Sequence, residues 1–500
     1  MVILQPVRNH IARFWGLWLA CAVAFAAYAP TLGYHFSFDD MVPLSDMATK
    51  PFSAWLTDVL RLRDATPSWR PLTMLVYRVE YALFGMNAAA FRSVNLGFHI
   101  ANVGLVYVVT NRLVRHTWIA AFVAAAFGVF GGAWDTVSYI TALPHVLALT
   151  FFLLSLWLLL EFVDTGEADN EVYLGSFAFF LLAFLANEAS VTFLIPYAVA
   201  YGLAARRPLD LRKIGTRLAP FFLVAIVFGL VFTFCPCREQ MTVEQRWEWI
   251  SLKQAYLYLA WMLLPVGQAP YEFHIVQWVA GGVSLALLAW ALARGAAWTR
   301  WALVTLVVFL LPYVLIDPIT AGETVVSPRY VYSAAFPYLL VLAWAGRSVL
   351  FHVQARRVAT TCAAAVSLAA ILGYSVETGL QNREVLQVRE PAQYLLQELE
   401  TRYKQGPIGQ RVFLVGEPWT NPFFAFAGIP AITKLVFGEP ALIYVEAWEP
   451  TVLDAYLKAR DYRIEPWEHV LQYRNGSFRE LTADDVREEA QRARLASQNH

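Results

Sequence analysis

Between Phe14 and Tyr374 the chain is cut into long apolar runs, and no other feature constrains its fold as strongly. About 20 apolar residues of helix cross one bilayer core. The runs fall near 14–33, 94–111, 117–133, 138–160, 172–189, 190–205, 218–235, 277–293, 301–317, 330–346 and 358–376, which makes eleven crossings. Composition agrees: 58% of residues are hydrophobic and 15% charged, against roughly 45–50% and ~25% in soluble domains. An ordinary soluble enzyme and a disordered chain are both excluded. Basic and acidic residues balance at 38 each, so the basic field that nucleic acids require is absent and no such partner is expected.

Short loops set the orientation. The first run follows Arg8 and Arg13, is long for a signal peptide and lacks an Ala-x-Ala site, so it reads as an uncleaved helix with its N-terminus in the cytoplasm. Loops on that side then carry Arg112 and Arg115, Arg206 to Arg217, Arg294 and Arg300, and Arg347 to Arg357, while the short outer loops near 134–137 and 190 carry no Lys or Arg. An odd number of crossings puts the C-terminus outside. The apolar stretch Leu252 to Val266 is read as a helix at or dipping into the outer interface, with Trp247, Trp249 and Trp261 as belt residues.

The expected fold class is therefore an all-α polytopic membrane protein with a small C-terminal α/β domain. Residues 1–376 form the membrane domain, including a first outer loop at 34–93 with two amphipathic stretches. Residues 377–500 form the outer domain, patterned as helix 390–404, strand 411–415, a short helix, strand 442–445, helix 451–459 and a hairpin at 470–478. Residues 483–500 read as a solvated helix or frayed end. The four cysteines make no disulfide scaffold, and Cys235-Pro-Cys237 is too tightly spaced for a relaxed bridge.

Ionisable residues at membrane depth are costly and usually face a cavity. Here they gather at the predicted outer end: Asp39 and Asp40 after the first run, Arg70 in Arg70-Pro71-Leu72-Thr73, Asn95 and His99 one turn apart, Asp135 between the third and fourth runs, His145, Glu188 and Arg329. A transfer reaction from a lipid phosphate needs such a set: a carboxylate to accept a hydroxyl proton and guanidinium groups to hold the departing phosphate. Each residue also fits a plainer role. Asp39-Asp40 and Asp135 suit helix caps, Arg70 a snorkelling anchor, Asn95 and His99 interhelical partners, and Glu188 and Arg329 ion pairing or topology.

The order of these motifs resembles a known family. Phe38-Asp39-Asp40, Trp69-Arg70-Pro71-Leu72-Thr73, Phe91-Arg-Ser-Val-Asn95-Leu-Gly-Phe-His99, Asp135-Thr-Val, Asn187-Glu188-Ala-Ser-Val-Thr192 and Arg329-Tyr-Val-Tyr332 are similar to an ordered series in the transmembrane TPR-containing protein O-mannosyltransferases of the GT-C superfamily. The chain departs at Ala142-Leu143-Pro144-His145, where the family has Gly-Arg-Ala-Asp/Glu, and at Asn187, where it has Lys; the tail carries no TPR repeats.

The resemblance implies an inverting glycosyltransferase that takes a sugar from a polyprenyl-phosphate donor on the outer face, with Asp39 as base and Asp40 beside it. Donor binding falls to Arg70, Asn95, His99, Asp135, His145, Glu188, Arg329 and Tyr332. The Ala- and Arg-rich chain reads as bacterial, which places the site in the periplasm and makes an undecaprenyl- or decaprenyl-phosphate sugar the donor. The acceptor is a hydroxyl of a protein or of an envelope glycan or lipid. No metal ligand set is assigned, and a divalent metal stays open. The alternatives are a flippase for a polyprenyl-linked glycan, which calls for inverted repeats and midplane charges, and a non-enzymatic envelope assembly partner.

Overall fold

The computed structural model describes residues 4–60, 69–204, 211–233, 249–264, 275–314, 328–351, 356–403, 410–416, 429–437, 443–474 and 477–498. The helices are α1 (Leu4–Tyr28), α2 (Phe38–Thr49), α3 (Phe52–Leu60), α4 (Pro71–Phe84), α5 (Ala88–Val114), α6 (Thr117–Gly128), α7 (Trp134–Ser138), α8 (Leu143–Asp164), α9 (Asn170–Ala186), α10 (Leu194–Ala204), α11 (Leu211–Thr233), α12 (Trp249–Leu263), α13 (Ile275–Arg294), α14 (Ala297–Val314), α15 (Tyr332–Phe351), α16 (Arg356–Glu398), α17 (Ile429–Phe437), α18 (Pro450–Lys458) and α19 (Ala483–Gln498). The strands are β1 (Gln410–Val415), β2 (Ile443–Trp448), β3 (Glu468–Arg474) and β4 (Ser477–Glu480). Two compact units result. One comprises Met1–Leu32, Pro67–Val76 and Ala90–Asn382; the other comprises Gly33–Thr66, Tyr77–Ala89 and Arg383–His500.

In the first unit each predicted run overlaps a helix among its described residues, while residues 205, 234–235 and 315–317 of those runs lie outside them. Among the described residues, five segments are long and apolar enough to span a bilayer: Phe14–Gly33, Ala88–Val114, Ile140–Asp164, Ile275–Arg294 and Ala297–Val314. The chain is a multi-pass membrane protein. A sixth apolar segment is bent by 44° where Thr117–Gly128 meets Gly131–Ser138, and glycine chemistry accounts for the bend. A Cβ on Gly128 would sit 2.9 Å from the Ala24 Cβ, and one on Gly132 would sit 2.7 Å from the Phe130 ring, so only glycine permits α1 and the turn to approach this closely. The bend hands the chain to α7 and delivers Asp135.

α8 shows how a central helix is secured. Its side chains are buried nearly all round, as expected of a helix surrounded by others. Toward α9 one point of the contact is small and polar: Ser155 Oγ donates to the Ser176 carbonyl at 2.7 Å and Ser176 Oγ returns a bond to the Ser155 carbonyl at 2.8 Å. Small hydroxyl residues let two backbones close up while satisfying each other's polar atoms.

α12 is packed against its neighbours along one face. Leu257, Tyr258, Ala260, Trp261 and Met262 are all buried, and α12 packs against α13 and α14. Trp261 is not a belt residue; its indole N–H donates to the Gly132 carbonyl at 2.9 Å. A buried indole seeks a hydrogen-bond partner, and the glycine turn supplies one. Trp247, the side chain of Trp249, and Cys235 and Cys237 lie outside the described residues.

In the second unit, β1 pairs in parallel with β2 on one side and β3 on the other, and β4 returns antiparallel to β3, giving the order β2-β1-β3-β4. The core comprises Phe413, Val415, Leu453, Leu457, Val470, Leu481 and Val486. Strands and hairpin fall where the alternation put them, although residues 475–476 of the turn lie outside the described residues. Two readings change. The helix expected at 390–404 is the end of a continuous α16 followed by a π turn at Leu399–Tyr403. The terminal helix is not simply solvated, because Val486 and Ala490 of α19 are fully buried and Arg494 pairs with Asp454 of α18 at 2.9 Å.

One carboxyl in this unit is out of place. Glu80 of α4 is 3% exposed, and among the described residues neither of its oxygens has a hydrogen-bond partner. Burial pushes its pKa from 4.5 up to about 8, so the folded state holds the proton that the unfolded state releases. The resulting penalty is absent below the unfolded value, grows as pH rises, and reaches about 4 kcal/mol at pH 8. Glu80→Gln should therefore match wild type in thermal midpoint near pH 4.5 and exceed it increasingly toward pH 8. Parallel midpoint curves would contradict this.

Candidate active site

Most of the predicted residues gather in the first unit, and each is delivered by a break between helices. Arg70 precedes Pro71, which opens α4 because a missing N–H costs nothing at a helix start. Thr73 fixes that start by donating to the Ala186 carbonyl at the end of α9, at 2.9 Å. Just past that point Asn187 caps the short 3-10 turn Glu188–Phe193, its side-chain oxygen accepting from the Ala189 N–H at 2.9 Å. The two anchored breaks bring Arg70 and Glu188 face to face. Arg70 Nε donates to Glu188 Oε2 at 2.7 Å and Nη2 donates to Oε1 at 2.5 Å, a two-pronged pair that is about one quarter exposed on each side.

A second pair forms at the α6–α7 bend, where Arg329 Nε stands 3.4 Å from Asp135 Oδ2. The Arg329 guanidinium also lies over the Tyr139 ring, 5.7 Å from its centre. The turn carrying Asp135 is held from α5: Asn95 donates to the Tyr139 carbonyl at 2.8 Å, and the fully buried Arg92 donates to the Ser138 carbonyl. A carboxylate held on a fixed turn keeps its arginine aimed without a mobile side chain on both sides.

His145, in the first turn of α8, lies within electrostatic reach of both Arg70 and Arg329. Its Nδ1 meets the Tyr313 hydroxyl at 3.3 Å and the Asn187 amide nitrogen at 3.4 Å. Tyr313 and Tyr330 are stacked, 4.4 Å apart and 8° from parallel, with the His145 ring 5.9 Å from each. The result is a polar, partly exposed cluster whose two cations are each matched by an anion. Each partner offsets the cost of taking the other's charge out of water.

His99 and Tyr332 fall in a different, buried group. His99 Nδ1 meets the Tyr332 hydroxyl at 2.9 Å and Nε2 meets the Gly128 carbonyl at 3.0 Å, while Asn102 donates to the same tyrosine oxygen at 3.0 Å. Asp39 and Asp40 belong to the second unit, in the first turn of α2. Asp40 is fully buried and its carboxylate accepts from the Ser37 N–H at 2.8 Å, closing the helix start as the plainer reading expected. Asp39, beside it, is half-buried. Among the described residues no three His, Cys, Asp or Glu side chains are arranged to hold a metal.

Sequence reading missed Arg92, Tyr313 and Tyr330. Arg92 and Tyr330 lie inside quoted motifs and carried a signal as charged or aromatic residues at a predicted helix edge. Tyr313 carried none, since a tyrosine late in an apolar run reads as an ordinary belt residue.

No family model matches the chain. Among curated proteins, it is 26% identical over 256 residues to protein O-mannosyl-transferase Tmtc2 of Drosophila melanogaster, a match that covers 48% of this chain and 26% of that protein. The chain thus spans about a quarter of the length of the curated relative it matches, and the resemblance read from the ordered motifs is the one this comparison returns. Among solved structures, the crystal structures of ArnT from Cupriavidus metallidurans align over 92% of this chain and 93% of theirs. The apo form is 15% identical with a TM-score of 0.48, and the form bound to undecaprenyl phosphate is 14% identical with a TM-score of 0.45.

Proposed function

We propose that this protein is an integral-membrane glycosyltransferase of the GT-C type, moving a sugar with inversion from a polyprenyl-phosphate donor to a hydroxyl on the outer face of the membrane. The observation that carries the reading is the pair of arginine–carboxylate bridges, Arg70–Glu188 and Arg329–Asp135, drawn from separate motifs and both within electrostatic reach of His145. Glu188 engages two of Arg70's N–H groups, whereas a guanidinium carries five donors. The bridge therefore orients the group while leaving an edge to face a phosphate.

The resemblance assigns the role of base to Asp39, which then accepts the acceptor's hydroxyl proton as that oxygen attacks the anomeric carbon. The bond from that carbon to the phosphate oxygen breaks, and the lipid phosphate leaves with the electron pair. Charge grows on that oxygen in the transition state, so arginine N–H groups directed at it stabilise the transition state more than the ground state. Asp135 and Glu188 hold the arginines. His145 and Asn187, standing where the resembled family has charged residues, line the site without adding a fixed positive charge. The acceptor is a protein hydroxyl or an envelope glycan or lipid, and the orientation is N-terminus in the cytoplasm and C-terminus outside.

Arg329 separates this reading from a purely structural one. Lys keeps the charge and loses the planar fork, so Arg329→Lys should lower turnover of a synthetic undecaprenyl-phosphate sugar by ~10-fold and Arg329→Ala by ~10²-fold or more. Unchanged rate and donor affinity in both variants would place the phosphate elsewhere.

A further inference from the structure

We propose that the C-terminal α/β segment serves as the holder of the acid-bearing helix α2, with Lys434 of α17 as the positioning residue that grips it. The proposal rests on the transferase reading above, in which Asp39 works from the first turn of α2. That helix has only twelve residues and contains Pro43, so its own hydrogen bonds do little to hold it in place. What holds it lies in the same compact unit. α17 packs along α2, and both helices bury apolar residues: Met41, Leu44 and Met47 on α2, Ile429, Ile432 and Val436 on α17.

The grip is ionic at one point. Asp46 of α2, 4% exposed, accepts from Lys434 Nζ at 2.7 Å and from Lys50 Nζ at 3.1 Å. Lys50 in turn meets Asp58 of α3 at 3.1 Å, and Arg78 of α4 donates to the carbonyls of Met47 and Lys50 at the end of α2. A buried carboxylate is tolerable only while its counter-charges stay in place. Lys434 is the member of this network contributed by the C-terminal segment.

The register makes the grip a matter of aim. Asp39 and Asp46 are seven residues apart, two helical turns, so they share one stripe of α2 and stand ~10 Å apart along its axis. Fixing Asp46 against α17 therefore fixes the rotation of the helix, and with it the direction of Asp39. The tail does the work of a bracket for the base.

The test uses the full chain in lipid nanodiscs, comparing wild type, Lys434→Met and Lys434→Arg. Hydrogen exchange of residues 38–49 should quicken ~10-fold or more in Lys434→Met, while strands β1 and β3 keep their protection. Lys434→Arg, which keeps the charge, should exchange at the wild-type rate. With synthetic undecaprenyl-phosphate mannose as the probe, Lys434→Met should lower kcat ~10-fold and leave KM for the lipid within ~2-fold. Unchanged exchange in α2 overturns the proposal whether or not sugar is transferred. Faster exchange with unchanged kcat overturns it too, by reducing Lys434 to a structural contact. Lys434-sensitive exchange in a wild-type protein that transfers nothing removes the enzymatic reading and leaves the holder standing.

Discussion

Asp39→Asn should abolish most sugar transfer while the protein still inserts, folds and binds its donor. A positioned general base contributes ~10²–10⁴-fold, and an amide of the same size removes the proton acceptor without changing the packing. Asp40→Asn should behave differently. The Asp40 carboxylate is already engaged by the Ser37 N–H and is fully buried, so an amide there keeps an acceptor but removes the negative charge from the first turn, which weakens the start of α2 by ~1 kcal/mol and lowers activity through helix order. Thermal midpoint and turnover should fall together for Asp40→Asn, whereas for Asp39→Asn turnover should fall alone. Full activity in Asp39→Asn with a dead but stable Asp40→Asn would exchange the two roles.

The second large effect is expected at Arg70. Arg70→Ala removes a candidate phosphate donor and leaves Glu188 without the partner that holds both of its oxygens, so turnover should drop ~10²–10³-fold. Glu188→Gln should cost less, since the arginine and its charge remain. The double variant Arg70→Ala, Glu188→Gln separates the two contributions. If the bridge merely secures the fold, the double variant should recover stability and activity together. If Arg70 meets the phosphate, stability should recover and activity should stay low. Detergent-solubilised thermal midpoints and single-turnover rates distinguish the outcomes.

The sequence made the helices legible because lipid imposes one solution on an apolar run of this length, and the tail's strands legible because alternation at β1 and β3 is a local pattern. Partnership across the chain was not legible. Arg70 meets Glu188 across 118 residues of sequence, and nothing local in either motif names the other. The charges could be read as belonging to one site, but that they neutralise each other in pairs is a property of packing. Trp261 shows the same limit: an indole in an apolar stretch reads as a belt residue, and only the glycine turn at 131–132 supplies the carbonyl that makes burial favourable. Asp40 went the other way, since its capping role is written locally as Ser37 followed three residues later by Asp40. The docking of α17 on α2 has no sequence signature, because it joins segments nearly four hundred residues apart.

Transfer of this kind should consume a polyprenyl-phosphate sugar and release its lipid phosphate. The direct measurement is release of undecaprenyl phosphate from a panel of synthetic undecaprenyl-phosphate sugars, incubated with the purified full chain in nanodiscs and an envelope extract as the source of acceptor. Wild type should release the lipid phosphate from at least one donor and pass its sugar to an extract component, and Asp39→Asn and Arg70→Ala should not. No release from any member of the panel, with sugar drawn from a nucleotide donor in the same extract, would rule out a lipid-linked donor for this protein.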